Sequence, residues 1–229
     1  MSTTTIEAAR THRAGLAGTR IGAAAGAVFA LCLFAGVAML GIPRGATDQE
    51  LVSWWSDRGN QATAVVSMYL FVLAGLSFLV FLAKLRSRLL EAEGGAGDLT
   101  SLAFASGVVF VAMLFVAAAS RGVIGFAALS PANDERLPGP DTLRYLPQIG
   151  YAITGTAGLL SVALTAAVTS VLVFKTAVFG RWLAWLGVAV VALVAVAAAL
   201  LSAVFAIPAL LAWALATSVA LGRRPTESQ

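Results

Sequence analysis

An uncharged stretch of 41 residues, from Trp182 to Gly222, constrains the fold of this chain more than any other feature. As one helix it would be about 60 Å long at roughly 1.5 Å per residue. The hydrocarbon core of a bilayer is only about 30 Å thick, so the stretch must cross it twice. Pro208 lies just past the middle, where a proline favours a turn or the first turn of a new helix. The stretch therefore predicts a hairpin of two membrane helices.

The composition predicts more helices of the same kind. The chain has 229 residues, of which 59% are hydrophobic and 11% charged, values typical of a multi-pass membrane protein. This length accommodates about six spans of roughly 20 residues. We expect an all-α transmembrane bundle in residues 21–222, flanked by cytoplasmic tails at 1–20 and 223–229. The spans are expected at 21–42, 62–83, 101–129 and 149–174, with two more in the uncharged stretch.

The positions of the cations set the expected orientation. They lie at the ends of apolar runs, and six spans place ten of them inside and five outside, as cytoplasmic loops rich in Lys and Arg require. Both termini are then cytoplasmic, in a bacterial cytoplasmic membrane. No basic cluster is interleaved with aromatic residues, so nucleic acid is not an expected partner. The expected inner cations are Arg10, Arg13, Arg20, Lys84, Arg86, Arg88, Lys175, Arg181, Arg223 and Arg224.

Two further patterns concern the cytoplasmic side and the first span. Gly18, Gly22 and Gly26 share one helical face, which lets another backbone approach closely. Residues 89–100 are rich in glycine and acidic side chains, and we interpret them as a flexible inner linker.

Each of the two long outer loops, 43–61 and 130–147, is expected to contain a short amphipathic helix. The sequence Thr47-Asp48-Gln49-Glu50 has the form of a capping box. Trp54 and Trp55 follow it and are expected to anchor the helix at the membrane surface, where tryptophan is favoured. A lid for lipid or substrate over the bundle is the functional alternative. In the second loop, Asp141 is expected to cap the helix.

Arg121 interrupts the third apolar run and is expected near the outer interface. There it can extend towards the headgroups or form a structural ion pair. The alternative is that it turns inward and binds an anion or an acidic side chain, because ionisable groups at membrane depth are often functional. The acidic candidates are Asp48, Asp57 and Asp141.

A stripe of small and weakly polar residues follows the fourth span at intervals of three or four residues. Close helix packing with hydroxyl hydrogen bonds is one explanation. A polar lining for a substrate path is the other. A continuous polar cavity would favour the path, whereas burial against the glycines of the first span would favour packing. The stripe consists of Thr154, Gly158, Ser161, Thr165 and Thr169.

The residue types that membrane enzymes need are scarce at depth. His12, the one histidine, lies in the amino-terminal tail, and no Asp or Glu falls within an expected span. Cys32 is the single cysteine, which excludes an internal disulfide. We therefore predict no catalytic, cofactor or metal site, and no enzyme activity.

The entry into the fifth span, Gly180-Arg181-Trp182-Leu183-Ala184-Trp185-Leu186-Gly187, resembles that of small six-span membrane proteins of actinobacteria. These belong to families built on domains of unknown function, and the layout of paired spans with short outer helices is similar over nearly the whole chain. Those proteins often have proline where this chain has Gly180. The resemblance implies the six-span fold and no particular activity.

The expected spans lack the acidic and histidine side chains that membrane enzymes use, and the first and fourth spans carry faces suited to helix packing. Both observations favour a structural or accessory membrane protein. It would act through helix contacts with itself, as a homo-oligomer, or with another membrane protein. The alternative is a small permease or a protein that binds a lipid or small molecule, with its path along the polar stripe and its gate near Arg121 and Trp54.

Overall fold

The computed structural model describes residues 3–39, 41–43, 45–130, 137–200 and 206–222, with side chains from residue 20 onward. Within these ranges the chain is all-α, as predicted, and contains no β-strand. The helices are α1 (Thr3–Ala38), α2 (Asp48–Ser56), α3 (Arg58–Glu93), α4 (Asp98–Leu129), α5 (Pro140–Ile153), α6 (Leu159–Thr176), α7 (Arg181–Ala199) and α8 (Ala206–Gly222), with a π-helical turn (Thr154–Gly158) between α5 and α6.

Five helical segments of the described chain are long and apolar enough to cross a membrane: Arg20–Ala38, Arg58–Glu93, Asp98–Leu129, Pro140–Thr176 and Arg181–Ala199. The helix α8 is equally apolar but has 17 residues. The first helix begins at Thr3, so most of the residues expected in the amino-terminal tail are helical. The cations Arg10 and Arg13 lie where only the backbone is described, and Arg223 and Arg224 lie outside the described residues.

The long helices form a ring in chain order. Six helices pack in chain order, each against the next, and the last of them also packs against the first. They are α1, α3, α4, α6, α7 and α8. Contacts between neighbouring helices run in opposite order along the two helices, as Gly22 with Lys84 and Gly36 with Phe71 do, so α1 is antiparallel to α3. The same holds for α4 and α6. We call the end of the bundle that carries α2 the outer end, and the opposite end the inner end.

Aromatic side chains from α1, α3, α4 and α8 pack together inside the bundle. The rings of Phe29 and Phe78 have centroids 4.5 Å apart, and Phe110 meets Phe78 edge-on at 5.3 Å. Trp213 of α8 joins the cluster through Phe81, at 6.3 Å. All five side chains are buried. We call this the aromatic core.

The glycine face of α1 packs as predicted. A Cβ atom built on Gly22 would lie 2.7 Å from Cβ of Lys84, and one built on Gly26 would collide with the Ser218 hydroxyl and the Phe81 ring. The absence of a side chain at these positions therefore lets α3 and α8 approach α1 closely. The side chains around Gly18 are not described.

The prediction of a flexible linker at residues 89–100 is wrong. The helix α3 continues to Glu93, and only Gly94 to Gly97 separate it from α4. The Glu93 carboxylate accepts hydrogen bonds from the backbone N–H of Leu99, at 3.0 Å, and of Thr100, at 2.9 Å. Three of the four intervening residues are glycines with positive φ, which a tight turn of this kind requires. The connection is a capped turn.

The second half of the uncharged stretch folds as the proline predicted. The helix α7 ends at Ala199, and α8 begins at Ala206, with Pro208 in its first turn. A proline is tolerated there because the first backbone N–H groups of a helix have no partner within it.

Candidate functional site

The short helix α2 begins with the predicted capping box. The Thr47 hydroxyl accepts a hydrogen bond from the Glu50 N–H at 3.3 Å, and the Glu50 carboxylate accepts one from the Thr47 N–H at 2.8 Å. These bonds satisfy donors that a helix start leaves unpaired. The backbone hydrogen bond from Thr47, followed by the one from its hydroxyl, lowers the pKa of Glu50 below its ordinary value.

The apolar side of α2 is buried against the outer end of the bundle. Leu51 and Trp55 are both buried, and Trp55 exposes none of its surface. The prediction that Trp55 anchors α2 at the membrane surface is therefore wrong, because its ring lies inside the protein. Trp54 is partly buried and meets Trp55 edge-on at 4.8 Å. The buried members of this cluster, which we call the outer cluster, are Leu51, Trp55, Ala64, Ile124 and Leu143.

The second amphipathic segment is not a separate short helix. It forms α5, which continues through the π-helical turn into α6, so that residues 140–176 form one helical rod. Gly139 occupies the N-cap position and Pro140 the first turn. Asp141 also lies in the first turn, so the prediction that it caps the helix is wrong. Its carboxylate still lies where a helix dipole favours negative charge.

An ion pair joins α5 to the start of α2. Arg144 donates a hydrogen bond of 2.7 Å to the Asp48 carboxylate and one of 3.0 Å to the Ala46 carbonyl. Asp48, one of the acidic candidates for Arg121, thus pairs with Arg144. The third candidate, Asp57, accepts a hydrogen bond from the Asn60 N–H at 2.9 Å and caps α3.

Arg121 lies inside the bundle. Its side chain is 5% exposed, so it does not extend to the surface, and the inward alternative describes its orientation. Its Cζ atom lies 4.2 Å from the centroid of the Tyr151 ring and 5.3 Å from that of Phe71. The guanidinium also donates to the Thr154 hydroxyl at 3.4 Å. A planar cation between two aromatic rings gains cation–π attraction that increases when water is excluded.

The outer cluster lies outward of Arg121 along the helices that surround it. Ile124 lies three residues outward of Arg121 on α4, a distance of about 4.5 Å along a helix axis. Ala64 lies seven residues outward of Phe71 on α3, or about 10 Å. The corresponding pair on α5 is Leu143 and Tyr151. Along the helix axes, Arg121 thus lies between the outer cluster and the aromatic core.

The polar stripe is divided between buried and half-buried positions. Thr165 and Thr169 are buried, whereas Thr154 and Ser161 are half-buried. Thr165 shares a hydrogen bond of 2.9 Å with Ser106 of α4. Ser161 donates to the carbonyl of the residue four positions earlier in its own helix. The Thr169 hydroxyl has no hydrogen-bond partner among the described residues.

The stripe packs on different neighbours from those expected. Thr165 and Thr154 contact Ser106 and Arg121 of α4, whereas the glycines of α1 face α3 and α8. At the inner end a narrow crevice between α3, α4 and α6 reaches Thr165. Its walls combine apolar and polar side chains: Leu82, Leu85, Leu89, Ala103, Phe104, Arg86 and Thr100. Neither of the two arrangements expected for the stripe, a continuous polar cavity or contact with the α1 glycines, describes these contacts.

The sequence analysis missed several residues of this region. The sequence pattern did not indicate a role for Arg144, Tyr151 or Phe71. Local patterns do not link residues that are far apart in the chain, such as Arg144 and Asp48, which are 96 positions apart. Two signals were present, namely an arginine in an otherwise apolar run and the Thr-Gly-Thr-Ala-Gly sequence that forms the π-helical turn. Such turns occur frequently at functional sites. Within the part of the chain described, no three His, Cys, Asp or Glu side chains come together to form a metal site.

Comparison of the chain with protein-family models, with curated proteins and with solved structures finds no match.

Proposed function

We propose that the chain is an integral protein of a bacterial cytoplasmic membrane, with six spans and both termini in the cytoplasm. The 17 residues of α8 are at the lower limit of a membrane-spanning helix, and α8 completes the ring. The cations at the inner end support this orientation by the excess of Lys and Arg in cytoplasmic loops. They are Lys84, Arg86, Arg88, Lys175 and Arg181.

We infer that the protein has a structural or accessory role, exerted through helix contacts with a second copy or with another membrane protein. The observation that carries this proposal is the aromatic core, since Phe29, Phe78 and Phe110 of α1, α3 and α4 are buried against one another inside the bundle. The buried part of the stripe supports it as well, because the Thr165 hydroxyl shares a hydrogen bond with Ser106. Close packing of small and hydroxyl-bearing residues is how membrane helices associate.

A second candidate function is the binding of an anionic small molecule or lipid headgroup near Arg121. The observation that favours it is the burial of this guanidinium between Tyr151 and Phe71, beside the π-helical turn and beneath α2. A guanidinium presents several donors in a planar arrangement that suits carboxylate and phosphate groups.

Native mass spectrometry of the protein extracted gently from its own membrane distinguishes the two. A stoichiometric protein partner or a defined homo-oligomer is the result expected for the accessory role. A bound anion or lipid without a protein partner, lost in an Arg121→Gln variant and retained in an Arg86→Gln variant, would replace that role with the second candidate. Arg86 is the matched control because it is an exposed arginine near an aromatic ring.

A further inference from the structure

The helix α2 is joined to α3 through a single residue. Asp57 ends α2 and caps α3, with extended backbone angles of φ −78° and ψ 123°. Helical hydrogen bonding is interrupted there, because the Asp57 N–H donates to the Trp54 carbonyl only at 3.4 Å. Rotation about the backbone of one residue can therefore change the direction of α2 while α3 keeps its place. Hinges of moving segments are commonly a few such residues at the ends of helices.

The contacts that hold α2 down are separate from those that hold the bundle. The outer cluster shares no buried residue with the aromatic core or its surroundings. Two buried side chains of α2, Leu51 and Trp55, contribute to it. Separation of α2 would thus expose the outer cluster and leave the ring of long helices intact. Segments with few buried contacts are those that open at low free-energy cost.

Three polar ties complete the attachment. The Asn60 side-chain amide of α3 donates to the Trp54 carbonyl at 3.0 Å. The Gln61 side chain donates to the Trp55 carbonyl at 2.7 Å and is buried. Arg144 holds the other end of α2 through Asp48 and the Ala46 carbonyl, in a position partly exposed to solvent. Exposed ion pairs are weak and are screened by salt. The Arg144 tie is therefore the one that conditions outside the protein can change.

We propose that α2 is a hinged lid over Arg121, with Asp57 as its hinge and the Arg144–Asp48 ion pair as its latch. When the lid opens, the Trp55 ring leaves the outer cluster, and water reaches Ile124 and the Arg121 guanidinium below it. The lid is a property of the fold and does not depend on whether Arg121 binds a ligand.

The test measures thiol accessibility beneath the lid. In a Cys32→Ser background, Ile124→Cys places a thiol in the outer cluster, and Ala166→Cys places a control thiol in the main core. The rate of reaction with a water-soluble maleimide is measured with and without Arg144→Ala. Loss of the latch should raise the rate at position 124 about threefold to tenfold, since it removes an exposed ion pair and one hydrogen bond. The rate at position 166 should not change.

Two further comparisons keep the proposal testable if Arg144→Ala fails to fold. Asp48→Asn retains the Arg144 bond to the Ala46 carbonyl and should raise the rate at position 124 by about twofold. A higher salt concentration should raise the rate at position 124 to a similar extent in the chain with the intact latch, and should change it little in Asp48→Asn. Equal rates at position 124 with and without the latch would overturn the proposal. So would an equal rise at positions 124 and 166, because that indicates loosening of the whole bundle.

Discussion

The hydroxyl oxygens of Ser106 and Thr165 lie 2.9 Å apart, buried between α4 and α6. We expect Ser106→Ala and Thr165→Val each to lower the free energy of unfolding by about 1 kcal/mol, because each leaves a buried hydroxyl or carbonyl with one bond fewer. The coupling between them should be about 0.6 kcal/mol, as for other hydrogen bonds between membrane helices. A double-mutant cycle in mixed micelles measures both quantities.

The control for this cycle is Ser87→Ala. The Ser87 hydroxyl is exposed and bonds only to the Ala83 carbonyl of its own helix, so its removal should have almost no effect. Strict additivity of the Ser106 and Thr165 substitutions would contradict the hydrogen bond.

The Gly26 position should not tolerate a side chain. Gly26→Ala places a methyl group against the Ser218 hydroxyl and 2.9 Å from the Phe81 ring, and should destabilise the bundle by about 1–3 kcal/mol. Gly36→Ala is the matched control, since its nearest neighbour would lie at an ordinary 3.4 Å. Ser218→Ala should restore part of the stability of Gly26→Ala. Thermal unfolding in detergent checks the series, and equal melting temperatures for the two alanine variants would rule out a close contact at Gly26.

The contribution of Arg121 to the free energy of unfolding should depend on the shape of its guanidinium as well as on its charge. Arg121→Lys keeps the charge but loses the planar group over Tyr151, and should lower the free energy of unfolding by about 1–2 kcal/mol. In a Tyr151→Leu background the same substitution should cost less, whereas in Tyr151→Phe the cost should persist. The control is Arg86→Lys, an exposed arginine 5.7 Å from the Phe104 ring, for which we expect at most about 0.5 kcal/mol. If the Arg121→Lys cost is the same in all three Tyr151 backgrounds, the ring does not contribute.

The start of α2 should respond to acid through Glu50. Its folded-state pKa lies below the ordinary value of 4.5, so the ionised carboxylate stabilises α2 above that pH. The contribution is lost as the pH falls through the lowered folded-state pKa. Amide chemical shifts of residues 48–51 should move over this range as the helix start frays. In an Asp48→Asn background, which removes the other carboxylate of this segment, Glu50→Gln should give shifts that stay flat over the same range. A transition in Glu50→Gln at the same pH would assign the effect to another group.

The features that the sequence predicted are those that depend on neighbouring residues. The Thr47–Glu50 capping box and the position of Pro208 follow from hydrogen bonding within one or two helical turns, and both are confirmed. The glycine spacing likewise indicated the close-packed face of α1.

The features that it did not predict depend on contacts between distant segments. The hydrophobicity of Trp55 is compatible with a membrane surface or with a buried cluster, and only the approach of Leu143 decides between them. Tryptophan patterns alone cannot make that distinction. Similarly, the turn at residues 94–97 is capped because Glu93 reaches across it to Thr100, a contact that glycine content does not reveal.

The ring of helices closes between its first and last members, where a Cβ atom built on Gly222 would lie 3.3 Å from Cβ of Ala23. During translation α1 is synthesised long before α8. Until α8 is in place, one side of α1 and the space that the Trp213 side chain fills remain uncovered. A chain that ends before residue 206 would lack α8, and this surface would stay uncovered. Such a chain should be degraded by the quality-control proteases of the membrane. The docking of α8 against α1 and α7 is therefore the step that completes the ring.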